Sequence, residues 1–340
     1  MTVKFAKRIG NLQASEIREL LKLTQRPEII SFAGGLPAPD LFPIKEIAEL
    51  AKDILLTQGT KVLQYATTEG HEPLRKKIAE YMCEMGISDK ITADNLLITT
   101  GSQQGLDFTG KIFLNDDDVV LCESPSYLGA INAFKAYQPK FIEVDTDAYG
   151  MIPESLEKIM ATEKNIKFLY AIPDFQNPTG ITWSVERRQQ IMEICNRHNL
   201  PVIEDNPYGD LRYEGERPPS LMSFDKNQQV VFLGTFSKSF CPGLRIGWVA
   251  GFGQILQNYI TVKQSADLHT STLDQCIVDA FMEKYTLKNH VPKICALYKE
   301  RRDIMLQALA DYMPEGVTFT KPEGGLFIWL TMPSGINSRE

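Results

Sequence analysis

The sequence predicts an α/β fold in which helices cover both faces of one mainly parallel sheet of seven strands. Three observations support this prediction. Short apolar runs of strand length recur along the chain, turn-forming residues bound them, and stretches with helical spacing separate several of them. The length of 340 residues indicates two domains or one large α/β domain with an appendage. We expect the smaller part to be of the α+β class.

The N-terminal region precedes this alternation. Residues 11–24 have apolar side chains at helical spacing, at Leu12, Ile17, Leu20 and Leu21, and are predicted to form a helix. Residues 31–43 contain two adjacent glycines and three prolines, and we expect an irregular path there.

Seven apolar runs follow, and each is predicted to be a strand: Leu96–Thr100, Asp118–Cys122, Lys140–Val144, Lys167–Ala171, Pro201–Glu204, Val230–Leu233 and Gly247–Ala250. Helical stretches lie between several of them, for example at residues 184–198. In open sheets of this kind, ligands bind at the carboxyl ends of the strands. The pattern therefore predicts where functional side chains should be found.

Composition excludes several classes of function. A net charge of −7 argues against sequence-independent binding to nucleic acid or to an anionic membrane. The six cysteines include no CxxC pair, which is typical of reduced, buried thiols and not of a disulfide framework or a zinc site. The first residues have no apolar run of the kind found in secretory signals, and no apolar stretch reaches the roughly 18 residues that a membrane span needs. We expect a cytoplasmic protein.

Unusual polar side chains follow the predicted strands. Ser102 and Gln103 come after the first strand, behind a glycine and at the start of a helical pattern, where free N–H groups favour an anion. Taken alone, a serine there is more often a simple helix cap. Later turns add an aromatic ring, an amide, a carboxylate, a phenol, a lysine and an arginine: Tyr127, Asn177, Asp205, Tyr208, Lys238 and Arg245. Each is unremarkable by itself, but their joint occurrence at one sheet edge predicts a ligand site.

Three motifs resemble the signature of class I and II aminotransferases of fold type I, which use pyridoxal 5′-phosphate: Asn177-Pro-Thr-Gly180, Asp205-x-x-Tyr208 and Ser237-Lys238-x6-Arg245. Residues 30–37 and 65–75 are similar to the branch that contains 2-aminoadipate and kynurenine aminotransferases, and the similarity extends over essentially the whole chain. The resemblance implies a fold type I transferase that exchanges an amino group between an α-amino acid and a 2-oxo acid such as 2-oxoglutarate. The amino donors it suggests are 2-aminoadipate, aromatic and branched-chain amino acids.

The resemblance also implies a role for each residue. Lys238 would form the Schiff base with the cofactor and later move a proton between the substrate and the cofactor. Asp205 would keep the pyridine nitrogen protonated, and Tyr208, the third catalytic candidate, would hydrogen-bond the cofactor's phenolic oxygen together with Asn177. Tyr127 would stack on the ring. The phosphate would be held by a set of hydroxyl, amide and guanidinium groups: Ser102, Gln103, Thr235, Ser237 and Arg245.

Substrate contacts are predicted at Gly34 and Gly35, whose missing side chains let backbone approach the amino acid, and at Asn177 and Tyr65. In relatives, the tyrosine that corresponds to Tyr65 reaches the phosphate of the neighbouring subunit, so the resemblance implies a homodimer with shared sites. A core aromatic is the alternative for Tyr65. Relatives also bind the substrate carboxylate through an arginine of the small domain. In this sequence, Lys321–Leu330 resembles the start of that domain's sheet. The residues given after it contain no arginine in a matching motif.

The expected domains are an N-terminal arm with part of the small domain (1–44), a large cofactor-binding domain (45–275) and a C-terminal small domain (276–340) that looks incomplete. Two alternative functions share the cofactor residues. One is a β-lyase or decarboxylase on the same fold, and the other is the aminotransferase-like part of a transcription regulator, which would need a separate basic helix-turn-helix domain.

Overall fold

The computed structural model describes residues 3–11, 28–32 and 34–337. The helix predicted for residues 11–24 falls almost entirely within residues 12–27, outside the described residues. Residues 34–43 contain a short 3₁₀ turn at Pro39–Leu41 and are otherwise irregular, as the glycines and prolines indicate.

The elements alternate along the chain. The helices are α1 Ile44–Val62, α2 Glu72–Glu84, α3 Ser102–Phe113, α4 Leu128–Lys135, α5 Pro153–Thr162, α6 Val185–His198, α7 Gly253–Ala266, α8 Thr272–Lys284 and α9 Leu287–Tyr312. The strands are β1 Leu96–Thr100, β2 Val119–Glu123, β3 Lys140–Val144, β4 Thr146–Asp147, β5 Gly150–Met151, β6 Ile166–Ala171, β7 Val202–Asp205, β8 Val230–Thr235, β9 Ile246–Ala250, β10 Thr318–Phe319 and β11 Leu330–Thr331.

All seven predicted strands form, and they make one sheet in the order β1-β9-β8-β7-β6-β2-β3. The pairs among β8, β7, β6, β2 and β3 are parallel, whereas β9 is antiparallel to both of its neighbours. The predicted mainly parallel α/β fold is therefore confirmed.

Burial explains why these runs become strands. Every residue of β2 is buried. Two adjacent residues of this strand, Val120 and Leu121, belong to different hydrophobic clusters on opposite faces of the sheet. A strand covered on both faces needs a nearly continuous apolar run, which is the pattern that the sequence shows. Local features also determine where helix α6 begins and ends. The Ser184 side chain accepts a hydrogen bond from the Arg187 N–H at the start of the helix, and Asn199 adopts a left-handed conformation at its end.

The C-terminal segment differs from its prediction. Most of Lys321–Leu330 is not a strand, because only Leu330 pairs in β11, opposite Phe319 of β10. The intervening residues run as a loop in which Gly324 makes a single bridge to Arg212. Among the described residues, no helix combines the length and apolar character that a bilayer span requires.

Candidate functional site

The sheet topology gathers the predicted site residues at one edge. Strands β1 and β8 run in the same direction because both are antiparallel to β9, so the chain leaves β1, β2, β6, β7 and β8 at the same side. The chain enters β9 at this side, and Ile246 pairs with Thr100. Arg245 therefore lies beside Gly101, although the two residues are far apart in sequence. The antiparallel direction of β9 brings the arginine into the site.

Asp205 ends β7 and is 2% exposed. Its Oδ2 accepts a 2.8 Å hydrogen bond from the Tyr170 hydroxyl, while Oδ1 is buried without a hydrogen-bond partner among the described residues. Burial raises the pKa of Asp205 to about 7, and the Tyr170 hydrogen bond opposes that rise. A buried carboxylate oxygen without a partner is uncommon. A cationic N–H placed against Oδ1 would satisfy it and hold the carboxyl ionised.

Lys238 lies in the turn after β8. Its Nζ donates a 3.0 Å hydrogen bond to the Gly35 carbonyl and lies 5.9 Å from the centre of the Tyr208 ring. Burial, with a smaller contribution from the positive charge of Arg245, lowers the pKa of Lys238 to about 8. The amine is therefore largely neutral, and so nucleophilic, at mildly alkaline pH. The Asn177 side-chain N–H donates to the Tyr208 hydroxyl at 3.3 Å, so the amide, the phenol and the amine lie together.

A second group of residues surrounds the start of α3. The Thr235 hydroxyl donates to Ser237 Oγ at 2.9 Å, and Arg245 Nη1 lies 3.5 Å from the same oxygen. Gly101 has φ of +71°, and a Cβ added there would lie 2.3 Å from Arg245 Nη2. The positive φ favours glycine at this position, and the absence of a side chain leaves room for the guanidinium. Free N–H groups at a helix start, two hydroxyls and an arginine form a site suited to a phosphate.

Tyr127 and Gln103 lie next to this group. The Tyr127 hydroxyl donates to Gln103 Oε1 at 3.5 Å, and Gln103 Nε2 donates to the Gly129 carbonyl at 2.9 Å. A Cβ on Gly129 would come within 2.4 Å of the Tyr127 ring, so the glycine allows the ring to lie against the start of α4. Ser102, the first residue of α3, is half-buried at the same edge.

Tyr65 lies at the surface of this chain. Its side chain is 79% exposed, and it makes an edge-to-face contact with the His269 ring at 6.0 Å. The alternative of a core aromatic is therefore wrong. Gly34 and Gly35 have φ of +103° and +51°, and the Gly35 carbonyl reaches Lys238, so this glycine loop does lie at the site.

Two side chains of this site were not predicted from the sequence. Tyr170 is the hydrogen-bond donor to Asp205, and the signal available for it was a hydroxyl-bearing ring in the apolar second half of its strand. Phe327 packs edge-to-face on Tyr208 at 5.5 Å, and its ring fills the space where a Gly35 side chain would be. Nothing in the local pattern of residues 321–330 indicates this contact.

Comparisons with known proteins agree with this geometry. Residues 27–335 match the model of the aminotransferase class I and II family. The chain is 43% identical to aromatic-amino-acid aminotransferase 1 of Thermococcus litoralis, over 98% of this chain and 81% of that protein. The crystal structure of Pyrococcus horikoshii kynurenine aminotransferase in complex with PMP superposes with a TM-score of 0.93 at 43% identity, covering 98% of this chain and 83% of the other. The α-aminoadipate aminotransferase LysN of Thermus thermophilus, complexed with N-(5′-phosphopyridoxyl)-L-leucine, gives a TM-score of 0.91 at 40% identity, with the same coverage.

Proposed function

This chain belongs to the class I and II aminotransferases and is a pyridoxal-phosphate-dependent enzyme, and we propose that it transfers amino groups from aromatic amino acids, kynurenine or 2-aminoadipate to 2-oxoglutarate. The donor classes follow from the activities in the names of its relatives. The observation that carries the assignment of the site is the free, buried Oδ1 of Asp205 at the same sheet edge as the Lys238 amine.

The residues of this edge fit the cofactor. We propose that Lys238 Nζ binds it covalently and that Asp205 Oδ1 accepts the N–H of its pyridine ring. Tyr208 and Asn177 would donate to its phenolic oxygen, and Tyr127 would cover one ring face. Its phosphate would be held by the group around the start of α3: Ser102, Gln103, Thr235, Ser237 and Arg245.

When bound, the cofactor withdraws electrons from the substrate Cα and so acidifies the Cα hydrogen. The other functions that the reaction needs would come from residues of the chain. Asp205 keeps the ring nitrogen protonated, because an opposite charge within hydrogen-bond distance favours the cation. Lys238 Nζ, with a pKa lowered to about 8, is suited to take the Cα proton and to return it. The backbone of Gly34 and Gly35, with Phe327 packed behind it, would exclude water from the substrate side.

Single-turnover absorption scans test this proposal. Each candidate donor, added without an acceptor, should convert the bound cofactor to its amine form with release of one equivalent of 2-oxo acid, and 2-oxoglutarate should then restore the spectrum. Asp205→Ala should slow Cα–H removal by orders of magnitude. Release of ammonia with pyruvate, or of carbon dioxide, would instead indicate the β-lyase or decarboxylase alternative. A protein that binds the cofactor and turns over no amino acid would favour the regulator-like alternative.

We also propose a homodimer in which Tyr65 serves the site of the neighbouring subunit. Support comes from the exposure of the Tyr65 side chain and of apolar side chains that precede it in the sequence, Leu55, Leu56 and Leu63. Mixing two inactive variants tests this arrangement. A hybrid of Tyr65→Ala and Lys238→Ala subunits contains one site with both native residues, so the mixture should regain activity. A mixture that exchanges subunits and stays inactive would contradict shared sites.

Two further points remain predictions from the sequence. One is the division into an N-terminal arm (1–44), a large domain (45–275) and a small domain (276–340), which limited proteolysis would test. The other is the cytoplasmic location, which imaging of the tagged protein in its native cell would test.

A further inference from the structure

A fully buried lysine lies behind the group of residues at the start of α3. Lys263, in the last turns of α7, is 0% exposed. Its Nζ donates to Asp267 Oδ1 at 2.7 Å, to Asp267 Oδ2 at 3.0 Å and to Gln104 Oε1 at 2.9 Å. A buried ammonium is costly unless it is paired and hydrogen-bonded. Asp267 supplies the opposite charge, and Gln104 supplies a further acceptor.

Gln104 connects the lysine to the turn that begins α3. Its Oε1 accepts a second hydrogen bond, at 3.0 Å, from the backbone N–H of Thr100, and its Nε2 donates to Asp267 Oδ2 at 2.7 Å. Both ends of the amide are thus fixed by the Lys263–Asp267 pair. Thr100 and Gln104 flank residues 101–103, so the pair holds both sides of the turn that offers N–H groups to an anion.

The same ion pair is also connected to the segment beside Tyr65. Thr100 Oγ1 lies 3.4 Å from Asp267 Oδ2 and 3.3 Å from Thr270 Oγ1. His269 lies between Asp267 and Thr270 in the sequence, and its ring contacts Tyr65. The network therefore extends from the turn at the start of α3 to the surface on which Tyr65 lies.

We propose that Lys263 is a positioning residue for cofactor phosphate binding, acting through Gln104 and Asp267 on residues 100–103. The inference rests on the proposed function, since it assigns the phosphate to the start of α3. A residue with only a general role in folding would affect binding of the phosphorylated and the unphosphorylated cofactor equally. Loss of the ammonium should weaken binding of the phosphorylated cofactor selectively, because the phosphate is the part of the cofactor that would bind to the turn that the network orders.

The test compares the dissociation constants of pyridoxal 5′-phosphate and of pyridoxal, which lacks the phosphate. Lys263→Met keeps an unbranched apolar side chain that is one atom shorter, and it removes the three donated bonds. It should weaken binding of pyridoxal 5′-phosphate by about tenfold or more, the effect of losing charge-assisted hydrogen bonds, and change binding of pyridoxal less than about twofold. With the cofactor at saturation, KM for the amino donor should be unchanged.

Lys76→Met is the matched control, because Lys76 makes an exposed ion pair with Glu72, four residues away in α2, and should change neither constant. If Lys263→Met does not fold, Gln104→Met interrupts the same connection without leaving a buried charge unpaired, and it should show the same selectivity. Equal weakening of both ligands, or no weakening, overturns the inference. A wild-type protein that binds neither ligand would instead contradict the proposed function itself.

Discussion

The Tyr170 hydroxyl donates a 2.8 Å hydrogen bond to Oδ2 of Asp205, while Oδ1 of the same carboxylate is left without a partner among the described residues. Tyr170 comes from β6 and Asp205 from the neighbouring strand β7, so the relationship is fixed by the sheet. The hydrogen bond orients the carboxylate and stabilises its charged form, and the free oxygen remains available to a ligand.

Tyr170→Phe removes this hydrogen bond and little volume. Because the bond lowers the pKa of Asp205, its loss should favour the neutral carboxyl and weaken the proposed pairing with the cofactor ring. We expect kcat to fall about tenfold, the effect of one hydrogen bond to a charged group, with KM for the amino donor nearly unchanged. Tyr137→Phe removes a similar tyrosine–aspartate bond, to Asp107, outside the candidate site and serves as the control. Equal kcat values for wild type and Tyr170→Phe would contradict the role given to Tyr170.

Asp205 should reduce the stability of the cofactor-free protein. Its pKa of about 7, against 3.8 for an ordinary aspartate, means that the folded state keeps a proton that the unfolded chain releases. This carboxyl therefore favours folding at low pH, and its contribution is lost as the pH rises from about 4 to about 7. The difference corresponds to about 4 kcal/mol.

Asp205→Asn should consequently raise the unfolding free energy of the cofactor-free protein at pH 8 and change it much less at pH 4. Denaturant unfolding at both pH values measures this. A cofactor-free Asp205→Asn protein that is less stable than wild type at pH 8 would show that the buried carboxylate is not destabilising.

Lys238 should capture the cofactor at a lower pH than an ordinary lysine. Only the neutral amine is nucleophilic, and the pKa of about 8 leaves a substantial neutral fraction near neutrality. The capture rate of the cofactor-free protein, normalised to that of a simple primary amine of known pKa, should rise through about pH 8 and level off above it. A midpoint above pH 10, where unperturbed lysines titrate, would be inconsistent with the buried position of this amine.

Gly35 should not tolerate a side chain. Its φ of +51° is unfavourable for other residues, and a Cβ would lie 2.6 Å from the Phe327 ring. Gly35→Ala should displace the loop and raise KM for the amino donor several-fold, whereas affinity for the cofactor should change little. Gly251→Ala is the control, because its Cβ would meet no atom within 4 Å. Kinetics that match those of wild type would place the substrate elsewhere.

The sequence predicted the sheet well because most of its strands are buried on both faces, although the edge strand Lys140–Val144 is partly exposed. Runs such as Lys140–Val144 and Leu96–Thr100 have the bounds expected from apolar pattern and turn residues. The position of the site was predicted from the rule that ligands bind where parallel strands end, and its residues were predicted from the motif resemblance. The position of Arg245 was predictable from the motif, but its approach to Gly101 depends on the antiparallel direction of β9, which no local pattern encodes.

Long-range contacts were the part that the sequence did not reveal. In the sequence, Tyr170 has the pattern of an ordinary strand residue and Lys263 that of an ordinary helical lysine. Their hydrogen bonds, to Asp205 and to Gln104 respectively, form only in the folded structure. Phe327 is 119 positions after Tyr208 in the numbering, and its packing is a tertiary contact. Local propensity and spacing carry no information on such pairs.

The most direct test of the account is to locate the covalent attachment of the cofactor. Wild-type protein is loaded with pyridoxal 5′-phosphate, reduced with borohydride, digested and analysed by mass spectrometry. We predict one phosphopyridoxyl group per chain, on Lys238, and none on the Lys238→Ala protein treated in parallel. A label on another lysine, or no stoichiometric label on the wild-type chain, would contradict the account.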